Sequence, residues 1–295
     1  MDMPEDLNER EVLTTRFVEG PAKSWVWRAR FAAKLVLSRL PLPYAFWRSL
    51  NLFRHGRMDD LDRCLEAFET VCDQAGFGQD LRQKSVLELG PGDSLATALL
   101  AYAYGAEKTS LVDVGAFATR EANFYSSLAR RLAERRPDLE AVAQCRNVDD
   151  VLKAVHARYL VQGVDSLREI PSASVDFIFS VAVLEHVRLK EFSALLKELR
   201  RIMTPEGVML HYVDLQDHMG GGLNNLRFTQ AFWESDVIAR SGFYTNRISF
   251  SQMCDAFQAS GFEHQVSSIA RFRTIPMTRA ELAKDFKERS AEDLK

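Results

Sequence analysis

Two stretches of this 295-residue chain hold residue types that can do chemistry. Ser85 to Ser94 (SVLELGPGDS) sets a carboxylate, Glu88, just before two glycines, Gly90 and Gly92. Glycine has no Cβ and takes positive φ, so a chain turning there can lay its backbone against a ligand at the start of the next helix. His211 to His218 (HYVDLQDH) gathers two imidazoles with Asp214 and Asp217, and Leu184-Glu185-His186 adds a third imidazole. An imidazole has the unperturbed pKa of a base near neutral pH, and a carboxylate beside it fixes its tautomer and raises its basicity.

The glycine turn does not fit a dinucleotide pyrophosphate, because G-x-G-x-x-G needs a third glycine and Leu95 stands there. What remains is Glu88, two glycines and a second acid, Asp113, near the end of the next expected strand and about 20 residues on, where an acid accepts hydrogen bonds from ribose hydroxyls. A third acid, Asp165, sits where the following strand should end and could hold an adenine amino group. Three carboxylates without phosphate-binding lysines suit a nucleoside whose remainder is cationic and carries no phosphate. S-adenosylmethionine is such a molecule.

These residues need strands and helices to position them. From Lys84 onward, short apolar runs alternate with helical periods, the pattern of parallel strands joined by crossover helices. Strands are expected at residues 85–89, 110–114, 159–162, 175–181 and 208–214, helices at 95–104, 191–203 and 250–260, and a further strand at 263–272. The fold class is α/β, a doubly wound, mostly parallel sheet with an N-terminal helical extension. Residues 1–80 read as that extension and 81–295 as the ligand-binding domain, with long insertions at about 115–156 and 215–247. The zone from Arg16 to Arg57 is basic and Trp-rich. It reads as a helix, a break at Pro41–Pro43 and a second short helix, and could cap the cofactor or lie, through residues 23–57, on an anionic membrane surface. The charged C-terminal stretch reads as a solvated helix or a frayed tail. No seventh strand is evident before Asp293-Leu294-Lys295, which fits either a trimmed chain or an unrecognised last strand.

In order along the chain, VLELGPGDS, SLVDV, GVDSLREIPSASVDFIFSVAVLEHV and LRRIMTPEGVMLHYV resemble the class I, seven-stranded S-adenosylmethionine-dependent methyltransferases of the small-molecule "type 11" kind, over roughly residues 84–214. The resemblance implies a Rossmann-like fold and S-adenosylmethionine as cofactor. By position it implies that Glu88, Leu89, Gly90, Pro91 and Gly92 shape the methionine and ribose pocket. Asp113 with Val114 would bind the ribose hydroxyls, and Asp165 with Val164 and Ser166 would frame adenine. Ser180 and Val181 would flank the sulfonium. Ser94 departs from the family, many of whose members have glycine there.

Methyl transfer from a sulfonium is an in-line displacement, so the protein aligns donor and acceptor and, for an oxygen acceptor, removes a proton. The base is expected at the ends of the fourth and fifth strands, from Asp214 with His218, or from His186. Period-2 alternation along HYVDLQDH points Asp214 into the pocket. No metal is required, and the His/Asp spacing matches no metal template. On the substrate side, Trp233 offers a stacking face, Arg247 an anion contact, and Asp217 a polar group, behind a Gly220–Gly222 hinge. These suit a hydroxyl of a sugar, glycan precursor or other small molecule.

Composition bounds the alternatives. The chain is 46% apolar with a net charge of -3, which supports a packed core and gives no global case for nucleic acid. An RNA or protein methyltransferase using the basic N-terminal zone is a rival reading, but SVAVLEHV and no N-P-P-Y type motif follows the fourth strand. A non-catalytic S-adenosylmethionine-binding protein is another, opposed by the presence of all three acids and both glycines. Cys64, Cys72, Cys145 and Cys254 form no C-x-x-C pair, and the acidic start MDMPEDLNERE is no signal peptide, so a cytoplasmic protein is expected, at most peripheral to the inner face of a membrane.

Overall fold

The computed structural model describes residues 12–21, 26–37 and 60–295. These form seven strands: β1 (Val12–Val18), β2 (Ser85–Leu89), β3 (Lys108–Val112), β4 (Ala157–Leu160), β5 (Val175–Val181), β6 (Met203–Tyr212) and β7 (Val266–Phe272). The chain divides into two compact units, one made of residues 42–184 and 197–213, the other of residues 1–41, 185–196 and 214–295. That division differs from a boundary near residue 80, since the N-terminal strand and the C-terminal third of the chain share a unit.

The first unit is a five-stranded parallel sheet in the order β4-β3-β2-β5-β6. Every residue of β2 is buried, which is why its apolar run does not alternate. The chain winds outward from β2 through β3 to β4, then returns to β5 on the other side of β2. Such a reversal opens a crevice at the C-terminal ends of the strands, where open α/β sheets bind ligands. β2 and β5 match the expected spans. β3 ends earlier than expected, so that Asp113 follows its last residue, and β6 ends at Tyr212, short of Asp214. The β5–β6 ladder jumps from Val175↔Met203 to Phe177↔Val208, so residues 204–207 are absorbed as a bulge inside β6.

The helix Ala96–Ala103 is buried at every position, as an Ala/Leu-rich helix without a polar face must be. The helix Leu61–Gln74 is amphipathic and buries Cys64, Phe68, Val71 and Cys72. It starts where the Asp60 carboxylate accepts from the N–H groups of Asp62 and Arg63. Residues 115–156 hold three helices, Ala122–Leu132, Leu139–Val142 and Val148–Ala154.

In the second unit β1 pairs in parallel with β7, from Val12↔Val266 to Val18↔Phe272. The strand expected at 263–272 is therefore present but joins β1 rather than the main sheet. β1 itself was not foreseen, although VLTTRFV is rich in β-branched residues. The helix Val26–Leu37 lays Trp27, Phe31 and Leu35, at i, i+4 and i+8, on a core of Met219, Trp233, Ile238, Phe243 and Tyr244. Its apolar face is thus spent on packing within its own unit. The rest of the basic zone, residues 38–59, with the break and second helix expected there, lies outside the described residues, as do residues 22–25. The C-terminal stretch is not a solvated helix. It forms three short turns whose Leu282, Phe286 and Leu294 are buried with Leu226 and Met277, because its apolar residues outweigh its charges in packing. Among the described residues no helix is long and apolar enough to cross a membrane.

Candidate functional site

In the sheet unit the chain leaves β2 through Gly90 and Gly92, at φ +67° and +63°. A Cβ on Gly90 would lie 2.5 Å from Val183 Cγ2, so this turn admits only glycine. The Asp113 carboxylate braces it: Oδ2 accepts from Gly92 N at 3.2 Å, and Oδ1 from Val114 N at 2.7 Å. Gly90 N donates to Val112 O at 2.7 Å, and Gly163 N to Asp113 O at 2.8 Å. The ends of β2, β3 and β4 are thereby laced together by backbone groups and one carboxylate.

Glu88 is buried, and its Oε2 has no hydrogen-bond partner. Burial pushes its carboxyl up to about 7, the Thr97 hydroxyl opposes that shift, and the nearby Asp113 charge adds to it. Leaving a buried acceptor unsatisfied costs about 1–3 kcal/mol, which a donor-bearing ligand would recover. Leu89 and Pro91 are buried beside it. Val114 and Val181 expose 78% and 50% of their surface just past β3 and at the end of β5, leaving apolar side chains uncovered there.

Two expectations need correction. Ser180 is fully buried and pairs across the ladder with His211, its Oγ 2.8 Å from Nδ1, so it does not face a sulfonium. Residues 177–180 of β5 are buried on both faces, and Val181 is exposed as the last residue of the strand. Burial pulls the His211 imidazole down to about 4, which keeps it neutral. Asp165 stands in the short helix Val164–Leu167, but its side chain is exposed and lies 3.1 Å from Arg168. Ser166 is buried and its Oγ accepts from Gln162 N at 2.9 Å, while Val164 is half-buried.

The second unit holds an acid–base cluster. Leu184–His186 forms a 3-10 turn directly after β5, and Asp214 and His218 lie in the loop after β6. His218 Nε2 is 3.7 Å from Asp214 Oδ2, and the His186 and His218 rings meet edge to face with centroids 4.7 Å apart. His186 Nδ1 donates to Tyr244 O at 2.7 Å. Asp214 is positioned not by strand alternation, which stops at Tyr212, but by Glu185, whose Oε1 accepts from Asp214 N at 3.3 Å. The His218 imidazole beside it holds the Asp214 carboxyl below the ordinary range.

Glu185 joins this cluster without being among the residues the sequence singles out. It is 1% exposed, accepts from Asp214 N through Oε1 and leaves Oε2 unpartnered, and burial pushes its carboxyl up to about 7. Its place beside His186 right after a strand was the available signal. His186 and His218, which the sequence offers as alternatives at two strand ends, share one cluster. One ligand atom each from Glu185, His186 and His218 lies within 4.8 Å of the others, although their spacing fits no metal template.

The three residues expected on the substrate side are all buried. Trp233 is fully buried, donates Nε1–H to Thr245 O at 2.8 Å, and has Phe31 and Phe228 stacked on it. Its large ring is worth more in the core than at a surface. Arg247 is buried with its guanidinium on Asn225 O, Phe228 O and Gln230 Oε1, and burial pulls it down to about 10. Asp217 accepts from the N–H groups of Met219, Gly220 and Asn224, and so organises the triple-glycine loop expected to act as a hinge.

The family model described as "Methyltransferase domain" matches residues 53–266. Similar solved structures include phosphoethanolamine N-methyltransferase 2 of Haemonchus contortus in complex with phosphomonomethylethanolamine and S-adenosylhomocysteine, 18% identical over 70% of this chain and 43% of that one, with TM-score 0.38. An S-adenosylmethionine-dependent methyltransferase of Mesorhizobium loti is 14% identical over 63% of this chain and 77% of that one, with TM-score 0.37. The arsenic(III) S-adenosylmethionine methyltransferase of Chlamydomonas reinhardtii is 17% identical over 62% and 53%, with TM-score 0.35. The chain spans less than half the length of the Haemonchus enzyme. No curated protein matches the sequence.

Proposed function

Because this chain belongs to the methyltransferase domain family, we propose that it is an S-adenosylmethionine-dependent enzyme that methylates a hydroxyl of a small molecule, such as a sugar or a glycan precursor. The observation that carries the hydroxyl reading is the Asp214–His218 pair, a carboxylate 3.7 Å from an imidazole in a cluster that His186 opens to solvent. A hydroxyl oxygen must lose its proton as it gains a methyl group, and a paired imidazole near neutral pH is suited to take it.

S-adenosylmethionine supplies, when bound, a methyl group on a sulfonium that departs as a neutral thioether. The residues of the sheet unit fit that molecule. Gly90 and Gly92 bring no Cβ into the turn, Asp113 stands beside it as a carboxylate suited to ribose hydroxyls, and the orphaned Glu88 Oε2 is an acceptor in want of a donor. Asp165, already paired with Arg168 in solvent, contributes less, because an exposed ion pair is worth little and is easily reorganised. Asp214 would keep His218 in one tautomer, leaving that imidazole suited to take the proton a hydroxyl loses on methylation.

The test is a methyl-transfer assay with S-adenosylmethionine and a panel of acceptors bearing hydroxyl, amine, carbon-acid or arsenite groups, read by product mass. An O-methyl product from a sugar or other hydroxyl compound supports the reading. Methylation confined to the amine, carbon or arsenic acceptors would overturn it.

A further inference from the structure

We infer that Glu185, His186 and His218 form a binding site for one divalent transition-metal ion of the zinc class, with Asp214 beside it as an orienting carboxylate. The inference deepens the proposed function, on which it rests only for its catalytic consequence. The binding itself rests on the side chains of a single compact unit.

Four observations carry it. One ligand atom from each of the three residues lies within 4.8 Å of the other two. A tetrahedral ion with bonds of about 2.0–2.1 Å holds its ligands about 3.3 Å apart, so small side-chain rotations close the set. The His186 Nδ1–H is held by Tyr244 O at 2.7 Å, which places the lone pair of the neutral ring on Nε2. An imidazole oriented through its other nitrogen by a backbone carbonyl is the usual outer-shell arrangement of a metal-bound histidine. Glu185 is 1% exposed, and its Oε2 has no partner, although a buried carboxylate oxygen normally has one. Finally, Asp214 stands 3.7 Å from His218 and is itself tied to Glu185, so a second carboxylate supports the ligand set.

The donor set selects the ion. Two imidazoles and a carboxylate suit zinc and its neighbours, whereas Mg²⁺ prefers an all-oxygen shell and retains its water. Three protein ligands with solvent access at His186 leave a position for an exchangeable oxygen ligand, as in catalytic rather than structural sites. With the cation bound, His218 would serve as its ligand and the cation would polarise the acceptor hydroxyl and ease loss of its proton, the work that His218 does as a base in the metal-free protein.

The experiment is calorimetric titration of the chelator-treated full chain with ZnCl₂ and, separately, MgCl₂. One Zn²⁺ per chain is expected, with no saturable heat from Mg²⁺. His218→Ala and Glu185→Gln should each weaken Zn²⁺ at least about 10-fold, the range for losing one metal contact, whereas His264→Ala, at an exposed histidine elsewhere, should bind as the wild type does. Circular dichroism checks the fold, and His218→Ala, at a partly exposed position, keeps the test decisive if Glu185→Gln does not fold. No saturable Zn²⁺ binding, or binding unchanged in His218→Ala, would overturn the site. Methyl transfer to a hydroxyl without Zn²⁺ binding would sink the metal site and leave the proposed function standing. Zn²⁺ binding without transfer to any hydroxyl would do the reverse.

Discussion

Gly92 and Asp113 are joined by a hydrogen bond of 3.2 Å, from the glycine N–H to the aspartate Oδ2, so the residue after β3 fixes the turn after β2. The carboxylate that should hold ribose also shapes the loop beside it. Asp113→Ala should therefore weaken S-adenosylmethionine by about 10- to 100-fold, equivalent to the roughly 1.5–3 kcal/mol of a hydrogen bond to a charged group, with the sheet intact. Calorimetry alongside circular dichroism checks this. Wild-type affinity in a folded variant would move the ribose site elsewhere.

Gly90 faces Val183 so closely that even alanine collides with it, at a backbone angle that side chains disfavour. Gly90→Ala should lower stability by about 1–3 kcal/mol and weaken the cofactor. Adding Val183→Ala removes the collision but not the backbone strain, so the double variant should recover part of the stability in urea unfolding. A double variant no better than the single one would mean that the contact with Val183 is not what excludes a side chain.

Burial raises the Glu88 carboxyl from its ordinary 4.5 to about 7, so the folded protein holds that proton more tightly than the unfolded chain does. The sign follows from linkage. The contribution of Glu88 to stability is complete below about pH 4.5, declines as the pH rises toward 7, and is constant above it. Wild-type stability relative to Glu88→Gln should fall by about 2–3 kcal/mol between pH 4.5 and pH 8. Urea titrations at several pH values give the difference. A difference independent of pH would show that Glu88 titrates as an exposed carboxylate does.

Trp233 belongs to the core of its unit, stacked with Phe31 and Phe228 and donating to Thr245 O. Trp233→Ala should cost about 3–5 kcal/mol of stability, and Trp233→Phe less. In the phenylalanine variant the KM for the acceptor should stay near the wild-type value. A large rise in KM with unchanged melting temperature would restore the stacking role.

The sheet was legible because its signals are local: buried apolar runs set the spans of β2 and β5, and a glycine turn after an acid marked the candidate cofactor loop. Where competing interactions decide, local pattern was not enough. Ser180 reads as a polar residue at a strand end, yet the ladder pairs it with His211 inside the core. Trp233, Arg247 and Asp217 read as a binding surface because aromatic, basic and acidic residues lie close in sequence. Tertiary packing uses all three internally. β1 was hidden because its partner, β7, lies at the far end of the chain. The convergence of Glu185, His186, Asp214 and His218 depends on the path of two loops, which no periodicity encodes.

The most direct test of the account is the turnover of His218→Ala with a hydroxyl acceptor, measured together with its affinity for S-adenosylmethionine. Loss of a general base typically costs about 10²- to 10⁴-fold in rate. kcat should fall by that factor, with cofactor affinity nearly unchanged. A variant that transfers methyl to the hydroxyl at the wild-type rate would contradict it.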